Sequence, residues 1–210
     1  MSCDNMVRFR KAITTMPVIA ILRGVRPDEV IAVAQAIYTA GIRVIEVPLN
    51  SPEPLASIEN LNAHFRDDAI IGAGTVLTID DVARCRNAGA QIIVSPNMNV
   101  DVIRATIATG MISAPGCLTP TEAFAAFHAG AHAVKLFPGE LIPAGAVKSM
   151  RAVLPKDAIV LVVGGISADA VASYRTAGAD GFGIGNAIYR PGISAAEAGE
   201  NAANFVAALS

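Results

Sequence analysis

The sequence has little charge and no excess of basic residues. Its 16 Lys and Arg residues are balanced by 18 Asp and Glu residues, which gives a formal net charge of −2 over 210 residues. A nucleic-acid surface needs a basic patch or stripe to attract phosphates. The charge balance therefore argues against DNA or RNA as a partner.

Long apolar runs are also missing. Hydrophobic residues make up 53% of the chain, yet Gly, Pro or a charge interrupts each stretch before it reaches the roughly 20 residues that span a bilayer. The segment from Met1 to Lys11 lacks the apolar core of a secretory signal. We therefore expect a cytoplasmic protein without a membrane partner.

Cysteine and histidine are too few and too scattered for a metal site. The three cysteines, Cys3, Cys85 and Cys117, lack metal-ligand spacing, which favours reduced cytoplasmic thiols. His128 and His132 are four residues apart, but a glycine between them disfavours a shared helical face. We expect no metal and no cofactor.

Short apolar segments alternate with alanine-rich helical segments along the whole chain. Eight of these segments are predicted strands, and they are continuously apolar, as in a parallel sheet that is covered on both faces. They are Val18–Leu22, Val44–Pro48, Ile70–Gly74, Gln91–Ser95, Met111–Ala114, Ala133–Phe137, Ile159–Val163 and Gly181–Gly185.

Glycine follows most of the predicted helices, where it can adopt the left-handed conformation that ends a helix. Eight βα units predict a single (β/α)8 TIM barrel domain over residues 1–210. Further helices are expected before the first strand (Met6–Thr15) and at the end of the chain (Ala195–Leu209). An open doubly wound sheet is the alternative, but no Gly-x-Gly-x-x-Gly follows the first strand.

Lys135 lies inside an apolar run that otherwise resembles a buried strand. Lysine is almost never fully buried unless it is paired or has a chemical role. Burial disfavours the ammonium form and lowers the pKa of an amine. A neutral amine in a dry pocket attacks ketones and forms Schiff bases. The sequence therefore predicts Lys135 as a covalent nucleophile.

Glu46 lies in a similar apolar run, Val44–Leu49. It belongs to the second predicted strand and Lys135 to the sixth, so the two face each other across an eight-stranded barrel, near the carboxyl ends where barrel active sites form. A buried carboxyl group can act as a general acid and base. The pair predicts a class I aldolase that cleaves a 2-keto acid. A structural ion pair is the alternative, although burying one gains little stability.

Glycine-rich loops follow the seventh and eighth predicted strands, the usual phosphate position of such barrels. Gly164 and Gly165 precede a helix, whose N-terminus favours an anion, and Gly185 and Asn186 follow the last strand. Ordinary turns also use glycine, which is the simpler explanation for each pair alone.

Three further residues follow other strands. Arg23 can clamp a carboxylate by two hydrogen bonds, or it can form a surface ion pair of little consequence. Thr75 can offer a hydroxyl to a substrate, or it can cap a helix. Pro96 can simply shape its loop.

From Pro17 to Gly192, the chain resembles the 2-keto-3-deoxy-6-phosphogluconate and -galactonate aldolase family. The matching motifs are Ile21-Leu22-Arg23-Gly24, Val44-Ile45-Glu46-Val47-Pro48-Leu49-Asn50-Ser51, Gly72-Ala73-Gly74-Thr75-Val76-Leu77, Val94-Ser95-Pro96-Asn97, Pro115-Gly116, Lys135-Leu136-Phe137-Pro138 and Val163-Gly164-Gly165.

The resemblance implies a homotrimer of barrels that acts on a phosphorylated 2-keto-3-deoxy sugar acid. It implies Lys135 as the Schiff-base lysine and Glu46 as the general acid and base. Pyruvate recognition is implied near Arg23, Thr75 and Pro96. Phosphate binding is implied at Gly164, Gly165 and the loop of Gly185 and Asn186, where the family usually has a serine in place of the asparagine.

Two subgroups of the family differ in two motifs. The phosphogluconate enzymes typically carry Thr-Leu-Arg-Thr and Pro-Thr-Gly-Gly, whereas this chain has Pro48-Leu49-Asn50-Ser51 and Val162-Val163-Gly164-Gly165. Both motifs match the phosphogalactonate subgroup, which implies cleavage of 2-dehydro-3-deoxy-6-phosphogalactonate to pyruvate and D-glyceraldehyde 3-phosphate in galactonate catabolism. Valine at position 163 in place of threonine removes a hydroxyl that can distinguish the C4 epimers, so we expect relaxed discrimination.

Three other functions remain open at this point. They are a 2-dehydro-3-deoxy-6-phosphogluconate aldolase, a non-catalytic phosphosugar-binding barrel and a metal-dependent epimerase on a phosphate-binding barrel. Retention of both Glu46 and Lys135 argues against the binding protein, because such a protein has no need to desolvate that pair.

Overall fold

Strands and helices alternate through the computed structural model, which describes residues 2–209. The strands are β1 Val18–Ile21, β2 Val44–Pro48, β3 Ile70–Gly74, β4 Ile92–Val94, β5 Ile112–Ala114, β6 Gly116–Cys117, β7 Ala133–Leu136, β8 Ile159–Val163 and β9 Gly181–Ile184. The helices are α1 Ser2–Thr15, α2 Val30–Thr39, α3 Pro54–Phe65, α4 Ile79–Asn87, α5 Val100–Ala108, α6 Pro120–His128, α7 Ala144–Arg151, α8 Ala168–Thr176 and α9 Ala195–Ala207.

All paired strands are parallel, and neighbours along the chain are neighbours in the sheet, in the order β5-β4-β3-β2-β1-β9-β8-β7-β6. The two edge segments of this order, β5 and β6, are separated in sequence only by Pro115. They are therefore the two halves of one barrel strand, and the predicted (β/α)8 barrel is confirmed.

The fifth barrel strand extends past its predicted end at Ala114. Its first half pairs with β4, and its second half pairs with β7. Pro115 has no N–H and so interrupts the ladder, but its carbonyl oxygen accepts from the N–H of Lys135 (2.8 Å). The carbonyl oxygens of Ser113 and Cys117 likewise accept from the start and end of the next strand. These bonds close the barrel.

Alternate strand residues face the barrel interior, as the two-residue period of a strand requires. They form an inner apolar cluster that is separate from the larger cluster between strands and helices. Its strand members are Ile19, Ile21, Val44, Ile70, Ile92, Val94, Ile112, Ala114, Ala133, Ile159, Leu161 and Val163. Glu46 and Lys135 come two residues after Val44 and Ala133, so both side chains belong to the same inner surface.

The predicted N-terminal helix is present and begins at Ser2 instead of Met6. Its residues Phe9 and Ile13 are buried in the inner apolar cluster. They contact the side chains at the amino ends of the strands, so α1 covers that end of the interior. The opposite end, where the strands finish, holds the predicted site residues.

Two cysteines, Cys85 and Cys117, are buried free thiols. Burial raises the pKa of each thiol to about 12, which disfavours the reactive thiolate. The side chain of Cys3, the third predicted thiol, lies outside the described residues. Within residues 2–209, every helix is too short or too polar to cross a bilayer.

Candidate active site

Glu46 is an almost fully buried acid on β2, with only 2% of its surface exposed. Burial raises the pKa of its carboxyl group to about 7, and the positive charges of Lys135 and Arg23 limit the rise. Its Oε2 atom has no hydrogen-bond partner within the described part of the chain. A carboxyl group with this pKa can both give and take a proton near neutral pH.

Gly74 provides the space that the Glu46 carboxyl group occupies. It pairs with Pro48 on the neighbouring strand, and a Cβ atom at position 74 would overlap Oε2 of Glu46 and lie 2.5 Å from Cδ. Any side chain larger than hydrogen would therefore displace the carboxyl group. Packing therefore explains why the last residue of the Gly72-Ala73-Gly74 segment is glycine.

Lys135 lies on β7 and is 7% exposed. Burial lowers the pKa of its amine; the Glu46 carboxyl group opposes this, and the Arg23 charge adds to it. The ion pairs of the described residues, all within 4.0 Å, do not include Glu46 with Lys135. The two groups thus influence each other's pKa without forming the contact ion pair that was the structural alternative.

Phe137 is a site residue that the sequence analysis missed. Nζ of Lys135 lies 4.4 Å from the centroid of its ring, and the ring packs against the inner apolar cluster. The ring therefore covers one side of the amine and limits its contact with water. The signal was present in the Lys-Leu-Phe-Pro segment, because residues two apart on a strand share a face.

A cavity of about 440 Å³ opens at the carboxyl ends of the strands and contains Lys135. Seven of the ten predicted site residues line it, and an eighth, Glu46, lies buried on the same inner surface as Lys135. The six that line it are Arg23, Val163, Gly164, Gly165, Gly185 and Asn186, in addition to Lys135 itself.

Thr75 and Pro96 do not line this cavity. Thr75 is half-buried with φ +58°, a conformation that a β-branched residue adopts only under strain. It does not cap α4, because Thr78 does so by accepting from the N–H of Asp81 (3.1 Å). The backbone of Pro96 packs against Gly116, the residue in register with Lys135.

Arg23 is held by a neutral partner. Its Nη1 donates to Oδ1 of Asn50 (2.7 Å), and the next N–H, of Gly24, donates to Oγ of Ser51 (2.9 Å). The ion pairs among the described residues do not include Arg23. Its charge therefore remains available to an anion, and the surface-ion-pair alternative is wrong.

The glycine pair after β8 requires glycine at both positions. Gly164 and Gly165 have φ +106° and +63°, in the left-handed region. The pair lies just before α8, whose N-cap residue is Ser167. Ser167 lines the same cavity. The arrangement exposes backbone N–H groups near a helix N-terminus, where an anion is favoured.

Two of the three histidines have hydrogen-bond partners inside the protein. Nδ1 of His132 accepts from the backbone N–H of Ser113 (3.2 Å), and Nε2 of His64 lies 2.9 Å from Oε1 of Gln35. No group of three or more His, Cys, Asp or Glu side chains suited to a metal ion occurs in the part of the chain that the structure describes.

Known proteins are similar to this chain in sequence and in fold. A family model described as KDPG and KHG aldolase matches residues 9–198. The chain is 44% identical to 2-dehydro-3-deoxy-6-phosphogalactonate aldolase of Escherichia coli (strain K12), over 93% of this chain and 95% of the relative. Identity is 34% to 2-dehydro-3-deoxy-phosphogluconate aldolase of Treponema pallidum (strain Nichols), over 80% of each. A solved structure named native KDPGal matches with a TM-score of 0.91 and 43% identity, over 93% of this chain and 95% of that one.

Glu46→Gln tests the raised pKa of the buried carboxyl group. The pKa rises from an ordinary 4.5 to about 7 on folding. The folded state therefore holds this proton more tightly, and the stabilisation is complete below about pH 4.5 and lost as the pH rises through about 7. We expect the free energy of unfolding of Glu46→Gln, relative to wild type, to rise by on the order of 2 kcal/mol between about pH 5 and about pH 8.

Urea denaturation at the two pH values measures this difference. Glu59→Gln, which removes an exposed carboxyl group on α3, is the control for the change in charge. A Glu46→Gln difference that stays constant or falls with rising pH contradicts the raised pKa.

Proposed function

The chain belongs to the KDPG and KHG aldolase family, and from this premise we propose that it cleaves 2-dehydro-3-deoxy-6-phosphogalactonate to pyruvate and D-glyceraldehyde 3-phosphate through a Schiff base on Lys135. One observation carries the proposal. An amine with a lowered pKa and a carboxyl group with a pKa of about 7 lie on the same inner surface of the barrel without neutralising each other.

Lys135 acts first. In its neutral form, its nitrogen attacks the C2 carbonyl carbon and forms a carbinolamine, which loses water to give a protonated imine. The burial that lowers its pKa increases the neutral fraction, and the Phe137 ring covers one side of the amine. The protonated imine then accepts an electron pair.

Glu46 moves the protons. As a carboxylic acid it protonates the departing hydroxyl of the carbinolamine, and as a carboxylate it removes the proton of the C4 hydroxyl. The C3–C4 bond then breaks, its electron pair forms an enamine, and the aldehyde leaves. Protonation of the enamine at C3 and hydrolysis of the imine release pyruvate and regenerate Lys135. Such positioned proton transfer contributes roughly 10²–10⁴ in rate.

The remaining site residues bind the two ends of the substrate. Gly164, Gly165, Gly185 and Asn186 are proposed to hold the phosphate through backbone N–H groups and the asparagine amide. Arg23 lines the same cavity, so its proposed partner, the substrate carboxylate, must lie within its reach there.

Thr75 and Pro96 support the pyruvate end from outside the cavity lining. Thr75 follows Gly74, which contacts Glu46, and Pro96 packs beneath Lys135 through Gly116.

The identity to known enzymes favours the phosphogalactonate substrate over its phosphogluconate epimer, and the apolar wall at position 163 excludes neither. The identity to the phosphogalactonate enzyme is 44%, against 34% to the phosphogluconate enzyme. Val163 lines the cavity with an apolar side chain and offers no hydrogen bond to a substrate hydroxyl. A phosphogluconate aldolase remains the second candidate, because an apolar wall does not strongly reject either epimer.

We further propose that residues 1–210 form one catalytic unit that assembles as a cytoplasmic homotrimer. Exposed apolar side chains such as Leu77, Ile79 and Leu118 supply surface that subunit contacts would cover. The particle mass in solution distinguishes one chain from three.

Trapping with pyruvate and borohydride tests the covalent step. Borohydride reduces the imine to a stable amine, so we expect intact protein mass to rise by one reduced pyruvate and peptide mapping to find it on Lys135. Lys156→Ala, which removes an exposed lysine, is the matched control and should be labelled normally. An unchanged mass in wild type, or a label that persists in Lys135→Ala, rejects the mechanism. Either result would leave a phosphosugar-binding barrel or a metal-dependent epimerase as the remaining functions.

Gly74→Ala tests the position of Glu46. The new methyl group displaces the carboxyl group, and we expect kcat for cleavage to fall about 100-fold. Pyruvate trapping should be slower, since Glu46 assists the loss of water, but it should still occur on Lys135, which remains in place. Gly145→Ala on α7, where an added methyl group meets no atom within 4 Å, is the matched control. Equal kcat values for both variants show that Glu46 is not held by this contact.

Val163→Thr tests the choice between the C4 epimers. The added hydroxyl can donate one hydrogen bond, so we expect the ratio of kcat/KM for the phosphogluconate epimer to that for the phosphogalactonate epimer to rise about tenfold. Val163→Ala, which trims the side chain without adding a hydroxyl, is the control. Pyruvate release gives the rates, and a ratio that is the same in all three proteins removes Val163 from specificity.

A further inference from the structure

Glu140 places a carboxylate at the predicted phosphate position. It lies on the short 3₁₀ turn Gly139–Leu141, just after the strand that carries Lys135, and it lines the same cavity. A Cβ atom added to Gly165 would lie 2.7 Å from Oε1 of Glu140, and one added to Gly164 would lie 2.8 Å from Oε2. The carboxylate therefore rests against both glycines, on the face where side chains would otherwise be.

The charges that line the cavity do not favour a dianion in this arrangement. Its cationic side chains are Arg23 and Lys135, and burial lowers the pKa of the Lys135 amine. Glu140 contributes one negative charge and so offsets the charge of Arg23. A phosphate at Gly164 and Gly165 would lie against a like charge at close range, which is unfavourable even in water.

No side-chain hydrogen bond or ion pair among the described residues holds the side chain of Glu140 over the glycine pair. The residue is exposed. The backbone of its turn is held, since the hydroxyl of Tyr174 donates to the carbonyl oxygen of Ile142 (2.9 Å) and a Cβ at Gly139 would lie 2.5 Å from the carbonyl oxygen of Gly164. A rotation of the side chain alone can therefore clear the glycine pair.

We propose that Glu140 is a specificity-determining residue whose carboxylate lies over Gly164 and Gly165 in the free protein and is displaced by the phosphate of the substrate. This inference rests on the proposed function and adds a competition to it. The binding free energy of a phosphorylated substrate is therefore reduced by the free energy needed to displace Glu140. An unphosphorylated 4-hydroxy-2-keto acid leaves Glu140 in place and binds without that penalty.

The test is Glu140→Gln, which keeps the shape and removes the charge. The probe is inorganic phosphate, and its Kd is measured by calorimetry on the full chain. We expect the Kd to fall at least about fivefold, as one unit of close charge repulsion predicts. Asp169→Asn, which removes an exposed carboxylate in the first turn of α8 but outside the cavity lining, is the matched control and should change Kd less than twofold.

Steady-state kinetics then separate the substrates. We expect Glu140→Gln to lower KM for the phosphorylated substrate and to leave KM for an unphosphorylated 4-hydroxy-2-keto acid unchanged. An unchanged or higher phosphate Kd overturns the proposal, and so does a higher KM for both substrates, which would show that Glu140 binds the substrate directly. The calorimetry needs no turnover, so a wild-type protein that fails to cleave the substrate rejects the proposed function without deciding the role of Glu140.

Discussion

Removal of Glu46 and Lys135 from water is the constraint on which the site depends. A closed barrel with a packed apolar interior gives both groups little solvation, so each shifts toward its neutral form. A direct ion pair would restore both charges and end their chemistry. The two groups lie on opposite strands of the barrel without a contact ion pair, and Phe137 lies beside the amine, so the proposed chemistry keeps both groups available.

Small residues determine where these two groups can lie. Gly74 makes room for the carboxyl group of Glu46, and Gly116, in register with Lys135, lets the backbone of Pro96 approach. The left-handed glycines at 164 and 165 leave a face that Glu140 occupies. The Glu46 carboxyl group, the Lys135 amine and the proposed anion position thus each depend on close approaches that larger residues would prevent.

The repeating pattern of the chain predicted the barrel because local signals agree with the fold: apolar strands, alanine-rich helices and glycines at helix ends. The strand positions agree to within one residue, apart from the fifth strand, which continues past Pro115 because the carbonyl oxygens of that strand still accept from β7. Glu46, Lys135 and the loop glycines were predicted because polar or glycine residues interrupt apolar runs. Asn50 and Glu140 were not, because their contacts join loops that are distant in sequence.

The pKa of Lys135 is the quantity that most directly tests whether the barrel holds an uncharged amine. It can be followed by the pH dependence of the side-chain NMR signal of Lys135, assigned by its loss in Lys135→Ala. The account predicts a midpoint below the ordinary 10.5, and a lower one still in Glu46→Gln, because the carboxyl group of Glu46 raises it. A midpoint at or above 10.5 would mean that the amine is solvated or tightly paired, which contradicts the account.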